Sequence, residues 1–460
     1  MLLTLQNGND FEFGLISTRN LFIYDENGNI SDTVSSFSEF KPATFSTGGY
    51  TYFIGTNNQK LNLYVKQDSA VQLKVGIDIG SIITTPPIIR SLQANQYQIL
   101  FGTASGKVYI YSLPDPPVSL PVLTDSITFG STPLKMISVA GDYISAISNK
   151  TFYDSNNNSI NLAQSPAYLA ITKDKNGDYL SILSSQSRVY VIKNGKIINQ
   201  FQASINSPNE KFAIADLKND GSNYIVYTEG NRIVAKNISG ALADNFSFND
   251  PLGLGFSGVP LAADFEGDGK SEIIASTKDG RIFAIDGGTG KTVHGFPLSV
   301  GNSLSCTPVI FDDNGYLSIA VTTSDSNFYG WVISAVPGKQ FWSSENGNNF
   351  NSSFVDAASQ RNYISNYFPL NRAYNYPNPV YGNTTNIRYY VSEDSKINIK
   401  IFDIAGSFVD ELNDFAPGGM DHETVWNVGK VQSGIYLARI QATSTSGKSK
   451  SKIIKIAVVK

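Results

Sequence analysis

The chain has 460 residues, a formal net charge of −4, one cysteine and two histidines. That balance gives no basic footprint for nucleic acid and no like-charge run for a membrane surface or a phosphate-rich partner. Cys306 alone excludes an internal disulfide framework and a multi-cysteine zinc site, and in its apolar run it reads as a buried small residue. The length suits a repeat array followed by a small module, which makes two folding units.

The first residues, Met1-Leu-Leu-Thr-Leu5, lack a charged segment, an adequate apolar run and a small-residue cleavage site, so they do not read as a secretory signal. They read as a strand. Asn7-Gly-Asn-Asp10 then forms a turn, and Phe11 to Ser17 a second strand. The chain is expected to open inside a repeat, as the fragment or mis-assigned start of a longer exported protein would.

From there one unit recurs: three short runs rich in β-branched and aromatic residues, joined by turns. The first apolar residue of the third run falls at Leu21, Leu61, Val108, Phe152, Val189, Ile233, Ile282 and Phe328, at separations of 40, 47, 44, 37, 44, 49 and 46. Strand repeats of about 40 to 50 residues mark a β-propeller, whose four-stranded blades pack around an axis. The fold class is therefore all-β, with residues 1–342 an eight-bladed β-propeller and seven blades the alternative. The Pro-rich stretch from Leu113 to Pro121 reads as an exposed linker between blades. Asp279-Gly280 is a hairpin turn, and Asp286-Gly-Gly-Thr-Gly-Lys291 an inter-blade turn.

The turn after Ala263 carries the candidate chemistry. Asp264, Glu266, Asp268 and Glu272 place carboxylates at positions one, three, five and nine, with the Lys270 carbonyl at seven and Gly269 permitting the bend. Hard Ca²⁺ takes six to eight oxygens from such alternating positions. The loop resembles the calcium loops of FG-GAP or VCBS-type repeats, which implies a structural Ca²⁺ site; the alternative is a turn without an ion. The related loops at Asp216–Tyr224, Lys173–Asp178 and Phe311–Gly315 lack the full set and read as plain turns.

No nucleophile elbow, zinc-binding histidine pair or phosphate loop is present, and His294 and His422 read as surface residues, so the chain is expected to be non-enzymatic. The repeat number also resembles that of quinoprotein dehydrogenases, whose blades are tied by a recurrent tryptophan motif. With only Trp331, Trp342 and Trp426, and no partner for Cys306, no PQQ cofactor is expected.

A polar stretch, 343–373, follows and reads as a linker that partly wraps the propeller. The final module, 374–460, alternates cleanly: Ile397, Ile399 and Ile401 face one side, Asn398, Lys400 and Phe402 the other. About six strands there make a small Ig-like sandwich. Its motif residues are Tyr376-Pro377-Asn378-Pro379, which predict an extended approach, then Gly406, Gly434, Tyr436 and the terminal Lys460. These closely resemble the type A C-terminal sorting domain of type IX secretion substrates.

That resemblance implies partnership with the type IX machinery and release from, or attachment to, the outer surface of a Gram-negative bacterium. Two functional classes follow. One is an exported propeller acting as a scaffold or binding a glycan or protein; the other is the accessory end of a larger secreted hydrolase, peptidase or glycosidase, whose catalytic domain lies upstream. Solvent-facing aromatics clustered on one face favour binding, and their absence favours a scaffold.

Overall fold

The computed structural model describes residues 2–460 apart from 8–9, 18, 26–28, 48–49, 68–69, 94–95, 114–119, 314–315, 335–338, 357–366, 369, 417–419 and 446. The turn expected at 7–10, most of the Pro-rich stretch and the end of the 311–315 loop thus lie outside the described residues. The chain divides into two compact units, residues 1–361 and 362–460. Its regular structure among the described residues is strand, apart from two short 3-10 turns at Pro208–Glu210 and Leu370–Arg372. Among the described residues no helix is long and apolar enough to cross a membrane.

The first unit, among the described residues, holds eight sheets laid down in chain order, each built on an antiparallel meander. Sheet I runs from Leu2–Asn7 to Ile30–Val34, sheet II from Ala43–Thr47 to Ala70–Asp78, sheet III from Ile88–Gln93 to Val122–Thr128, and sheet IV from Met136–Ala140 to Ser159–Asn161. Sheet V runs from Tyr168–Lys173 to Lys196–Gln202, sheet VI from Ala213–Ala215 to Leu242–Asn249, sheet VII from Phe256–Asp264 to Leu298–Ser299, and sheet VIII from Val309–Asp313 to Phe328–Val332.

Each of the eight repeat anchors sits in the third strand of its own sheet. Seven of them, Leu21 to Ile282, are buried, because an alternating strand between two others turns one row of side chains onto the neighbouring sheet. Phe328 is 38 % exposed, since sheet VIII has three strands among the described residues and no fourth strand covers it. Fourth strands are the part the sequence pattern hides. Val122–Thr128 and Lys196–Gln202 are exposed along most of their length, so polar and apolar residues mix there without clean alternation.

Successive sheets pack face to face through their first strands, Leu2–Asn7 against Ala43–Thr47 and Phe256–Asp264 against Val309–Asp313. Sheet VIII then returns to sheet I: the Phe13 ring lies 5.7 Å from Phe311 and 4.2 Å from Phe328. The Asp279-Gly280 hairpin closes as its sequence predicts. Gly280 has φ +85°, and a Cβ there would lie 1.9 Å from the Asn302 carbonyl oxygen, so no side chain fits.

The polar stretch after Trp342 departs from the expected wrapping linker. Strand Lys339–Trp342 adds to the inner edge of sheet VII, and Phe354–Val355 adds in parallel to that of sheet V. Between them the backbone carbonyls of Ser343, Asn349, Phe350, Ser352 and Ser353 accept N–H bonds from Ile310, Thr44, Ile89, Val139 and Ile171, all on first strands. The physical reason is accounting. First strands have one unpaired edge each, and a segment rich in Asn and Ser satisfies those groups without needing strand periodicity. Asn351, 2 % exposed, donates to the carbonyls of Lys41 at 2.9 Å and Pro87 at 3.1 Å, while Lys211 Nζ donates to Asn346 at 2.9 Å. Residues 343–356 therefore belong to the first unit, and the division falls at 361 rather than 342.

The second unit is a two-sheet sandwich. One sheet orders Tyr374–Tyr376, Thr384–Val391 and Met420–Asn427; the other orders Phe408–Ala416, Ser395–Asp403, Gly434–Ser444 and Ser449–Val458. Ile397, Ile399 and Ile401 are buried with Tyr389, Trp426 and Ile440 in one core. The seven strands exceed the expected six because Phe408–Ala416, an edge strand with mostly exposed side chains, carries no clean alternation.

Candidate functional site

The acidic turn joins the first two strands of sheet VII, Phe256–Asp264 and Glu272–Thr277. Asp264 is almost fully buried and serves the turn itself: Oδ1 accepts the N–H groups of Gly267 at 2.6 Å and Asp268 at 3.1 Å, and Oδ2 that of Gly269 at 2.8 Å. Asp216 does the same for Asp220 and Gly221, and Asp174 for Asn176 and Asp178, in loops that lack acids at positions three and nine. A carboxylate at position one thus serves as a turn former. Asp268 accepts the Lys270 N–H at 2.9 Å and pairs with its ammonium at 3.0 Å.

The remaining two acids behave differently. Glu272 is fully buried; Oε2 accepts the Phe265 N–H at 2.6 Å, while Oε1 has no hydrogen-bond partner. Opposite it in the cross-strand register stands Asp286. Carboxylate oxygens of Glu266, Glu272 and Asp286 lie within 4.8 Å of one another. Burial first, then the charges of Glu266, Asp264, Asp268 and Asp286, raise the Glu272 pKa well above the ordinary carboxylate range.

Glu266 and Glu272 of the spaced set come together, but with Asp286, which position counting does not find. Its signal lies in pairing: Asp286 ends the third strand of the same hairpin, directly across from Glu272. The 286–291 turn accordingly lies within sheet VII, between its third and fourth strands, and not between blades. A hard divalent cation suits three converging carboxylates with an orphaned buried oxygen. Elsewhere, His294 is exposed and His422 half-buried beside Tyr389, and Cys306 is only partly buried, 3.2 Å from Thr322 Oγ1.

In the second unit the motif residues gather around the terminal strand Ser449–Val458. After Tyr376, whose hydroxyl donates to Glu423, the chain bends through Pro377, Asn378 and Pro379 rather than continuing extended. The bend lets Asn378 face that strand's outer edge. Its Nδ2 donates to the Lys455 carbonyl at 2.8 Å, and its Oδ1 accepts the Ala457 N–H at 2.9 Å. Val380 continues the pairing, donating its N–H to Ala457 at 2.7 Å and accepting that of Val459 at 2.9 Å.

Of the other motif positions, Gly434 and Tyr436 lie on the neighbouring strand at its opposite edge, and Gly406 closes a turn of the same sheet. Gly406, at φ +84°, closes the Asp403–Ser407 turn. Gly434 begins the strand that pairs with Val458, and Tyr436 packs on Trp426 at 5.4 Å while its hydroxyl donates to the Gln432 carbonyl at 2.8 Å. Lys460 donates its N–H to Ser433 Oγ at 2.9 Å and its ammonium to the Gly429 carbonyl at 2.7 Å.

Comparison with known proteins follows this division. Residues 375–456 match the model of the secretion system C-terminal sorting domain. No curated protein matches the sequence. Among solved structures the chain is similar to BBS1N in complex with ARL6DN, with TM-score 0.44 and 11 % identity over 73 % of this chain and 92 % of that one. It is also similar to PorZ, described as an essential surface component of the type IX secretion system of Porphyromonas gingivalis, with TM-score 0.40 and 11 % identity over 98 % of this chain and 69 % of that one. Residues 375–456 are a secretion system C-terminal sorting domain, which marks this protein for type IX secretion to the cell surface or beyond.

Proposed function

We propose that the protein is a non-enzymatic β-propeller module that the sorting domain delivers to the outer surface of a Gram-negative bacterium, where it binds a ligand or serves as a scaffold. The sorting domain carries this reading, since it brings the type IX machinery as partner. Eight meander sheets in sequence, with sheet VIII packed back on sheet I, support an eight-bladed propeller. The two-sheet core of the second unit supports an Ig-like sandwich.

The polar segment 343–353, hydrogen-bonded to the first strands of five sheets, supports a binding or scaffold role over redox chemistry in this reading. Glu266, Glu272 and Asp286 hold Ca²⁺ in this reading, and its role is structural, because the cation neutralises like charges on paired strands.

The test is fractionation of the source bacterium carrying the full chain or a chain ending at Arg361. The full chain is expected at the surface or in the medium and the shortened one inside the cell envelope. Equal distribution of the two would sink the reading.

A further inference from the structure

A cleft of about 330 Å³ opens in the first unit between sheets II, III and VIII and the inserted segment. This is the low end of the size range of small-ligand pockets. Four aromatic residues line it: Phe45, Tyr97, Phe311 and, from the inserted segment, Phe350. Phe45 is stacked on Tyr52 at 4.8 Å and lies 4.3 Å from Tyr97.

Beside the rings stand the side-chain amides of Gln340 and Asn349 and the exposed carboxylate of Asp312. Both residues are partly exposed, and neither side-chain amide hydrogen-bonds among the described residues, although the Asn349 backbone carbonyl is used by Thr44. Each amide offers a donor and an acceptor side by side. Among the described residues no lysine, arginine or histidine lines the cleft, so they offer a phosphate or carboxylate ligand no counter-charge.

Aromatic faces next to paired donors and acceptors, without cations, suit a molecule with an apolar C–H face and neighbouring hydroxyls. We propose that this cleft binds a neutral saccharide, one ring stacking on Tyr97 or Phe350 and its hydroxyls bonding Gln340, Asn349 and Asp312. The inference rests on the binding-module reading of the first unit and names its ligand class.

The test is calorimetric titration of the full chain with neutral hexasaccharides derived from cellulose, amylose, laminarin, mannan and chitin. At least one is expected to bind, with a dissociation constant between about 10 µM and 1 mM. A Gln340→Ala, Asn349→Ala double variant is expected to weaken that binding at least about tenfold, the effect of losing a few hydrogen bonds. Its thermal midpoint should not change, as neither amide bonds the fold. Absence of binding across the panel, or binding that the double variant leaves intact, overturns the inference. Neither result bears on export, which is read from fractionation alone.

Discussion

Asn378 and Ala457 form a hydrogen bond of 2.9 Å, side-chain Oδ1 to backbone N–H, that stands in for the missing neighbour of the terminal strand. With the Asn378 amide on the Lys455 carbonyl it imitates one rung of a strand ladder, so the motif closes an edge that would otherwise be open to pairing with other chains.

Asn378→Ala is accordingly expected to speed hydrogen exchange at the Ala457 amide by about tenfold, corresponding to one lost hydrogen bond. Asn378→Asp keeps the acceptor and should lie nearer the unaltered protein. Unchanged exchange in Asn378→Ala would show that Val380 alone secures this edge.

Calcium should act through Glu272 and its neighbours. Added at a hundred times its dissociation constant, Ca²⁺ is expected to stabilise the first unit by about 3 kcal/mol, and a Glu266→Gln, Asp286→Asn double variant should lose that response. In EDTA the order of stability inverts for Glu272→Gln, which should melt at or above the unaltered chain, because it removes a buried charge set among like charges. A melting temperature indifferent to Ca²⁺ in the unaltered protein would remove the cation from this account.

The inserted segment should be needed for stability. Asn351→Ala leaves the buried carbonyls of Lys41 and Pro87 each without a donor. At roughly 1–2 kcal/mol per orphaned group the expected loss is about 2–4 kcal/mol, read as a lower urea midpoint for the first unit. A shift under about 0.5 kcal/mol, typical of surface changes, would mean that the segment merely rests there.

Lys41 should make stability depend on alkaline pH. Its ammonium is buried and donates to Ser344 Oγ at 2.7 Å. Burial pulls its pKa down to about 8 from 10.5, with Glu345 opposing and Lys211 assisting. Between those values the unfolded chain holds more protons than the folded one, so this group's contribution rises with pH, by at most about 3 kcal/mol over the window. Buried tyrosines such as Tyr143 and Tyr168, whose pKa values burial raises, oppose that rise at higher pH. The measurement is therefore the difference between the unaltered protein and Lys41→Met, which should grow from about pH 8 to about pH 10.5. A constant difference would refute the assignment.

Much of this architecture is legible in the chain because it is local. The third-strand anchors are readable from hydrophobic spacing, since in seven of the sheets they lie on a central strand with two neighbours, which must be apolar on its packed face. The sorting domain is readable because its motif residues each have a fixed local duty, Gly406 in its turn and Tyr436 against Trp426. Alternation likewise reveals the Ile397, Ile399 and Ile401 face. The outer strands and the edge strand Phe408–Ala416 are not readable, because exposure on both faces removes the need for alternation.

The candidate site divides in the same way. Spacing within the loop identifies Glu266 and Glu272, but it also selects Asp264 and Asp268, which bond backbone N–H groups and Lys270. Asp286 enters only through the pairing of two strands. The role of 343–356 is likewise tertiary. Its Asn and Ser residues look like linker sequence, and only the unpaired edges of strands far away in the chain give their amides and carbonyls partners. Periodicity and turn chemistry, which act over a few residues, determined the repeats and the sorting domain; hydrogen bonds between residues up to 310 positions apart decided where the inserted segment lies.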